Sequence, residues 1–182
     1  MNLEEAIVVI NPELDQNIVQ GILDYTDYIA KEKMKTVGGL TEDVRNVFGY
    51  SLDKEKISNI IFFKHIQNVI TQNYMFYKIK FPQTITNKIN QIDLLKYQVG
   101  GKYEIHVDHG YSTPRSLTCI INLNEDYEGG DFVFYHQNGK DEIKRIKCKK
   151  GTIIFFPSNF LFPHRVEPIT KGTRYSIVSW LL

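Results

Sequence analysis

The sequence predicts a mainly β protein of the α+β class: a double-stranded β-helix (jelly roll) of about eight strands, buttressed by N-terminal helices. Two observations predict this class. Apolar residues recur at helical spacing in the first half of the chain, and after Pro82 short β-rich runs alternate with Gly, Asn and Asp. The length of 182 residues suits a single domain, 1–182. We divide it into a helical support region, 1–85, and a β-rich core, 88–182.

The support region is predicted to hold one strand and two helices. The apolar run Ala6–Ile10 suits a short strand, and Asn11 and Pro12 follow as a helix cap and a first-turn residue. The first helix then carries apolar residues three or four apart: Leu14, Ile18, Ile22, Tyr25 and Ile29. By the same criterion Lys56–Tyr74 is a second helix, and Asn46–Asp53 before it is predicted to be a connector.

The core is predicted to contain eight strands, separated by segments rich in Gly, Asn and Pro. They are Ile92–Tyr97, Tyr103–Val107, Ser116–Leu123, Phe132–Tyr135, Glu142–Lys147, Thr152–Phe156, His164–Val166 and Arg174–Leu181. This rhythm is typical of a sandwich or a barrel. Eight strands can enclose one small ligand between two faces.

Composition excludes several classes of protein. A formal net charge of +1 argues against nucleic acid as a partner. Cys119 and Cys148 are too few for a disulfide framework or a four-thiolate zinc site, and each is predicted to be a free thiol. The first residues lack a basic segment and no apolar run exceeds five residues, so neither a signal peptide nor a membrane span is expected. We therefore expect a soluble, cytoplasmic protein.

Three residues form a candidate metal-ligand set. His106 and Asp108 stand two apart on a predicted strand, so both side chains project to the same face. Together with a histidine from a distant strand, for which His164 is the candidate, they would make a 2-His-1-carboxylate set that leaves open positions on a non-haem ferrous ion. Arg174, at the start of the last strand, could offer a two-pronged cation to a carboxylate held near the metal.

These residues lie within longer segments that resemble the catalytic domain of the iron(II)/2-oxoglutarate dioxygenases, and most closely its prolyl 4-hydroxylase branch. The resemblance covers the last ~95 residues, and therefore the core 88–182. The matching segments are Tyr97-x-x-Gly100-x-x-Tyr103-x-x-His106-x-Asp108, Arg115 to Asn124, Glu128 to Phe134, Lys150 to Phe155, and His164 through Arg174 to Trp180.

Residue by residue, the resemblance implies that His106, Asp108 and His164 hold Fe(II). It also implies that Arg174 pairs with the distal carboxylate of 2-oxoglutarate. Three further residues are implied in the cosubstrate pocket: Tyr97 as a hydrogen-bonding residue, Thr118 on a strand that faces the pocket, and Asn122 where some animal relatives place a tyrosine. For the substrate, Arg45 is a candidate because Val44–Asn46 resembles a motif near the family's substrate groove, with a surface salt bridge as the alternative. Trp180 is a candidate for the pocket near the iron, with a place in the core as the alternative.

The implied activity is hydroxylation of prolyl residues in a protein or peptide, coupled to oxidative decarboxylation of 2-oxoglutarate to succinate and CO2. Fe(II), 2-oxoglutarate and O2 are the implied cofactor and cosubstrates, with ascorbate as a reductant. Two alternatives stay open: the same oxygenase chemistry on a free amino acid, another side chain or a nucleobase, and a non-catalytic jelly-roll binding module. Oligomeric state is not indicated by the sequence.

Other conspicuous residues are predicted to have structural roles. His65 lies on or near a helical apolar stripe and suits a packed histidine, while His109 and His136 suit a loop and a turn. Gly129-Gly130 suits a special backbone conformation before a strand. The basic run from Lys144 to Lys150 is typical of the solvated face of an edge strand, where lysines discourage pairing with another sheet.

Overall fold

The computed structural model describes residues 2–36, 39, 41–86 and 88–182. After a 3-10 turn at Leu3–Ala6, the elements in chain order are β1 Val8–Ile10, α1 Gln16–Ile29, β2 Glu32–Lys33, β3 Arg45–Asn46, β4 Phe48–Ser51, α2 Ile57–Lys80, β5 Ile89–Tyr97, β6 Lys102–His106, β7 Leu117–Asn122, β8 Glu128–Gly129, β9 Phe132–Tyr135, β10 Glu142–Ile146, β11 Ile153–Pro157, β12 His164–Val166, β13 Ile169–Lys171 and β14 Arg174–Leu181.

Two antiparallel sheets face each other. The larger has the strand order β1-β11-β7-β14-β5-β4-β2, and the smaller has the order β10-β9-β12-β6-β3. A two-stranded ribbon of β13 and β8 lies beside them. This double-sheet arrangement of mainly antiparallel strands confirms the predicted jelly roll. Every strand predicted in the core overlaps an observed strand.

The strands of the larger sheet separate two apolar clusters because their side chains alternate between faces. On β7, Ile120 packs into the layer between the sheets, whereas Cys119 and Ile121 pack under the helices. On β11, Phe156 lies in the inner layer and Phe155 in the outer one. The helices therefore cover the outer face of the larger sheet and leave the space between the sheets for a site.

Both predicted helices are present, but their ends differ from the prediction. Asp15, and not Asn11, caps α1, because its carboxylate accepts hydrogen bonds from the backbone amides of Asn17 and Ile18. Asn11 instead accepts a hydrogen bond from the Thr152 hydroxyl at 2.8 Å. The second helix continues six residues beyond Tyr74, to Lys80. Two tyrosines in its last turns, Tyr74 and Tyr77, are buried against the sheet and stabilise this extension.

The predicted connector Asn46–Asp53 is wrong, because Phe48–Ser51 forms a strand that pairs with β5. Gly49 interrupts its apolar pattern, so local sequence does not mark it as a strand. A Cβ at Gly49 would stand 2.6 Å from the Met34 side chain, which explains a small residue there. Backbone pairing with β5, and not an alternating apolar pattern in the sequence, makes Phe48–Ser51 a strand.

Several structural expectations are confirmed. Cys119 and Cys148 are free and buried, and His136 is exposed in a turn. Gly129 and Gly130 both have positive φ angles, 78° and 67°. β10, which carries Lys144 and Arg145, is an edge strand.

Within the described part of the chain, no helix has both the length and the apolar character needed to cross a membrane.

Candidate metal centre

Three side chains, two on strand ends and one in the segment after β6, converge between the sheets. His106 ends β6, Asp108 follows two residues later, and His164 begins β12, where it is the direct partner of His106 in the ladder. Asp108 Oδ1 lies 3.6 Å from His106 Nε2, and Asp108 Oδ2 lies 3.6 Å from His164 Nε2. All three ligand atoms lie within 4.8 Å of one another. A single metal ion fits this spacing.

Backbone carbonyls orient both imidazole rings. His106 Nδ1 lies 2.8 Å from the carbonyl oxygen of Glu104, and His164 Nδ1 lies 3.0 Å from that of Phe162. A carbonyl only accepts hydrogen bonds, so Nδ1 carries the proton in each ring. The Nε2 lone pairs are then free to bind a metal, which is the arrangement that fixes histidine ligands in metal sites.

The carboxylate of Asp108 is buried and held in place. Thr118 Oγ1 donates a hydrogen bond to Asp108 Oδ2 at 2.7 Å, and Ser158 Oγ lies 2.8 Å from the same hydroxyl. Burial by itself raises the pKa of Asp108, but the His164 and His106 rings and the Thr118 hydrogen bond together lower it well below its ordinary value. Asp108 is therefore an anion facing two imidazoles.

Burial and the nearby His106 ring lower the pKa of His164 from 6.5 to about 4. The folded metal-free protein therefore keeps this ring neutral at a pH where the unfolded chain takes up a proton. Sequence spacing gives no sign of this shift, because the atoms that exclude water from His164 come from other strands. Phe132 stacks on the ring at 5.1 Å between centroids, and Phe156 meets it edge-on at 4.8 Å.

We expect the free energy of unfolding of the metal-free protein to fall as the pH drops from about 6.5 through about 4, because stability rises with pH wherever the unfolded state binds more protons. The His164 share of this loss is about 3 kcal/mol. Urea unfolding of chelator-treated protein across this pH range measures it. His164→Gln should flatten the profile, whereas His136→Gln, at an exposed turn, should not. An unchanged profile in His164→Gln would contradict the assignment.

Arg174 lies at the far end of the same inner layer, opposite Tyr97 in the pairing of β14 with β5. Its side chain is 1% exposed, and its Nη1 donates a 3.3 Å hydrogen bond to Ser176 Oγ. Nε and Nη2 are buried without a partner. No aspartate or glutamate among the described residues forms an ion pair with it. A buried guanidinium with two unpartnered nitrogens, which carry three N–H donors, fits an external carboxylate.

Three side chains surround this guanidinium. The Tyr97 ring lies 5.2 Å below it, and burial raises the pKa of the Tyr97 phenol, which therefore stays protonated. Tyr127 and Cys148 also adjoin it. A Cβ at Gly130 would stand 3.2 Å from Arg174 Cδ, so glycine at this position leaves room for the arginine side chain. Sequence reasoning missed Tyr127, which comes from a loop with no strand pattern.

Asn122 and Thr118 both point into the inner layer from β7, but their polar atoms already have partners. Asn122 donates to the carbonyl of Asn124 at 2.6 Å and accepts from Tyr127 Oη at 3.3 Å. The Thr118 hydroxyl contacts Asp108, as described above. The structure thus places Asn122 beside the Arg174 end of the site and Thr118 beside the metal-ligand set.

A groove of about 250 Å³ opens next to the metal-ligand set, and Asp108 and Tyr103 are part of its wall. Its other lining residues include Lys35, Arg45, Gln91, Asp93, Arg115 and Trp180. Both residues that the sequence suggested for substrate binding, Arg45 and Trp180, therefore line this groove. A larger cleft of about 730 Å³ lies along α1, but none of the predicted site residues lines it.

Cationic and aromatic side chains form the wall of the groove. The Arg45 guanidinium lies 4.7 Å over the Tyr103 ring, and Tyr103 stacks on His106 at 3.5 Å between centroids. The Arg115 guanidinium lies 3.5 Å over the Trp180 ring, and its Nη1 donates to the backbone oxygen of Asp108 at 3.3 Å. Sequence reasoning did not assign Tyr103 or Arg115 to the site, although both lie within its matching segments.

The jelly roll, the 2-His-1-carboxylate set and the buried arginine define the class of this protein. A family model described as the 2OG-Fe(II) oxygenase superfamily matches residues 92–182, half of the chain. The chain belongs to this superfamily. The superfamily uses Fe(II), 2-oxoglutarate and O2.

The chain is similar to bacterial proteins named PKHD-type hydroxylases. It is 32% identical over 122 residues to one from Gloeothece citriformis, covering 64% of this chain and 51% of that protein. It is 28% identical over 151 residues to one from Idiomarina loihiensis, covering 81% of this chain and 63% of that protein. The chain thus spans between half and two thirds of the length of these curated relatives.

Solved structures show the same fold. A prolyl hydroxylase from Trichoplax adhaerens, in complex with a peptide fragment of the oxygen degradation domain of hypoxia inducible factor, superposes with a TM-score of 0.80. The match covers 98% of this chain and 84% of that chain at 16% sequence identity. At this identity the similarity supports the jelly-roll architecture.

Proposed function

We propose that this chain is an Fe(II)- and 2-oxoglutarate-dependent dioxygenase that hydroxylates prolyl residues of a protein or peptide. The observation that carries the proposal is the pairing of a compact His-Asp-His set with a buried arginine whose Nε and Nη2 have no partner. Each feature fits one half of the family's chemistry. A structural role alone explains neither the converging lone pairs nor the free donors.

We propose His106, Asp108 and His164 as the metal ligands. Two neutral imidazoles and one carboxylate occupy one face of an octahedral ion and leave the other positions open, and such sites bind non-haem Fe(II). Bound iron would supply the capacity to activate dioxygen and 2-oxoglutarate. The carboxylate of Asp108 would then be the one anionic ligand that this chain contributes.

We propose that Arg174 binds the distal carboxylate of 2-oxoglutarate through its free donors. Tyr97, which lies under the guanidinium, is proposed as a neutral phenol donor to the same cosubstrate. Asn122 is proposed to act at this end of the site together with Tyr127. For Thr118 the hydrogen bond to Asp108 supports a role in orienting the metal ligand from a strand that faces the cosubstrate.

We propose that the groove beside the metal centre receives the substrate. Its wall has an aromatic ring at Trp180, covered on one face by Arg115, and a second cation at Arg45. Guanidinium groups held against aromatic rings offer hydrogen-bond donors that suit the peptide carbonyls flanking a prolyl ring. We further propose that 88–182 is the catalytic core, and that 1–85 supports it and contributes Arg45 to the groove.

The proposal is tested by supplying Fe(II), 2-oxoglutarate, O2 and ascorbate, the proposed reductant, and measuring succinate. Proline-containing peptides are then screened by mass spectrometry for one added oxygen, with free amino acids and oligonucleotides in parallel arms. Succinate together with an oxygenated prolyl peptide supports the proposal. Oxygenation only in a parallel arm would move the activity to that substrate. Absence of both metal binding and succinate would favour a binding module.

Thr118→Val is expected to weaken metal binding by roughly 10–100-fold, the usual cost of losing a partner that orients a metal ligand. Valine keeps the shape of threonine but leaves Asp108 Oδ2 without its 2.7 Å hydrogen bond. Anaerobic titration with Fe(II) or Mn(II) measures the change. Thr118→Ser retains the hydroxyl and should bind metal nearly as tightly as the original protein. Equal affinity of the valine variant would exclude this orienting role.

A further inference from the structure

The outward face of α2 carries two apolar clusters, one at each end of the helix. The N-terminal cluster consists of Ile57 and Ile61, whose exposed fractions are 87% and 77%. The C-terminal cluster consists of Met75, Phe76 and Ile79, with exposed fractions of 52%, 58% and 76%. Large apolar side chains grouped at this exposure are typical of interaction surfaces.

These clusters do not contribute to the core. The opposite face of α2 packs on the larger sheet through Ile66, Ile70, Tyr74 and Tyr77, all of which are buried. A surface helix normally needs only that one apolar stripe, with polar residues on the other side. Among the described residues nothing covers this second set of apolar side chains on α2.

We propose that α2 packs antiparallel against α2 of a second copy of this chain, around a two-fold axis near Asn68. The residue spacing on the exposed face supports this pairing. Ile61 and Met75 lie at equal distances before and after Asn68, and so do Ile57 and Ile79. A two-fold axis at Asn68 thus places the N-terminal cluster of each copy on the C-terminal cluster of the other. Self-complementary surfaces of this kind form closed dimers.

The polar middle of the face agrees with the same axis. Lys64 and Gln72 also lie at equal distances from Asn68, and all three are exposed. In the antiparallel pair, each Lys64 ammonium would face the side-chain amide of Gln72 from the other copy. The two Asn68 amides would meet at the axis, where each can donate to the other.

Charge favours the antiparallel over the parallel orientation. Lys78 and Lys80 lie in the last turn of α2, and Glu55 precedes its first turn. Glu55 and Lys78 form no ion pair with any described residue. Lys54 is exposed beside Glu55, but Lys56 is turned toward the Tyr50 ring. A parallel pair would bring the two Lys78 ammonium groups together, since Lys80 is bonded to the backbone oxygen of Glu5. The antiparallel pair avoids this contact and opposes the helix dipoles.

The length of the exposed face suits packing between two helices. α2 has 24 residues and is therefore about 36 Å long, with five large, largely exposed apolar side chains on one face. This face lies on the outer side of the larger sheet, away from the metal centre, so dimer formation leaves the groove open. The dimer proposal is thus independent of the proposed function.

Sedimentation velocity over a range of protein concentrations tests the proposal. We expect a monomer–dimer equilibrium for the original chain. Ile61→Glu should weaken association at least tenfold, because each copy would then bury a glutamate against the C-terminal cluster of the other copy. Val99→Glu is the matched control, since Val99 is 64% exposed in the turn after β5. A monomer at every concentration, or a dimer unaffected by Ile61→Glu, would overturn the proposal.

Cysteine cross-linking tests the orientation. When Ile61→Cys and Met75→Cys variants are mixed and oxidised, the antiparallel pair predicts a disulfide between the two variants and little between identical ones. The native Cys119 and Cys148 are buried and should not interfere. Cross-links mainly between two Ile61→Cys chains would show a parallel pair and contradict the proposal. Monomers that bind lipid vesicles through this face would also contradict it.

Discussion

Asp108→Ala is expected to lower metal affinity and succinate formation by at least about 100-fold, because removing a ligand should cost more than removing a residue that merely orients one. Asp108 lies between the two histidines at 3.6 Å from each Nε2, and it is the one carboxylate of the cluster. Without it, the remaining ligands are two neutral imidazoles that cannot offset the charge of a divalent ion. Anaerobic metal titration and succinate release from 2-oxoglutarate measure the two effects.

Two further variants separate this effect from a folding defect. Asp108→Asn keeps the size of the side chain and its contact with the Thr118 hydroxyl, but it removes the negative charge, so it should also lose metal binding. Asp24→Ala removes an exposed carboxylate of α1 and should leave both measurements unchanged. Undiminished turnover in Asp108→Ala would disprove the proposed metal centre.

Arg174→Leu is expected to raise the KM for 2-oxoglutarate by at least about 30-fold. This factor corresponds to about 2 kcal/mol, the lower end of the usual cost of removing one partner of a buried charge pair. The guanidinium is 1% exposed and two of its nitrogens lack partners, so a bound carboxylate would meet donors that are already desolvated. Leucine fills part of the space but offers no donor. Steady-state succinate formation at varied 2-oxoglutarate measures the change.

Arg174→Lys is the informative companion variant. It keeps the positive charge but not the planar fork of donors, so the KM should lie between those of the original protein and Arg174→Leu. Arg145→Leu, at an exposed edge-strand position, should leave the KM unchanged. If Arg174→Leu binds 2-oxoglutarate normally, the cosubstrate carboxylate lies elsewhere.

The ligand pair His106 and Asp108 was predictable because it depends only on local geometry. Side chains two residues apart on a strand point the same way, and here the strand ends at His106 without disturbing this relation. His164 could be proposed as the third ligand by its residue type and by the family resemblance. Its position opposite His106 is set by the pairing of β12 with β6, which no local pattern specifies.

Other parts of the site depended on contacts between distant segments. Tyr127 adjoins Arg174 from a loop, and Arg115 reaches Trp180 from the segment before β7. The β4 strand, predicted as a connector, forms because the edge of β5 offers free backbone groups to pair with. None of these contacts leaves a periodic trace in the sequence, since each is fixed by packing across tens of residues.

The sequence by itself determined the jelly-roll class, the eight core strands and the identity of the candidate ligands, because alternation, turn residues and ligand chemistry are local properties of the chain. Only the tertiary structure decided that the three ligand atoms share one space, that Arg174 retains free donors, and that Thr118 is bonded to Asp108. These facts follow from strand register and burial, which arise when distant segments pack together and exclude water.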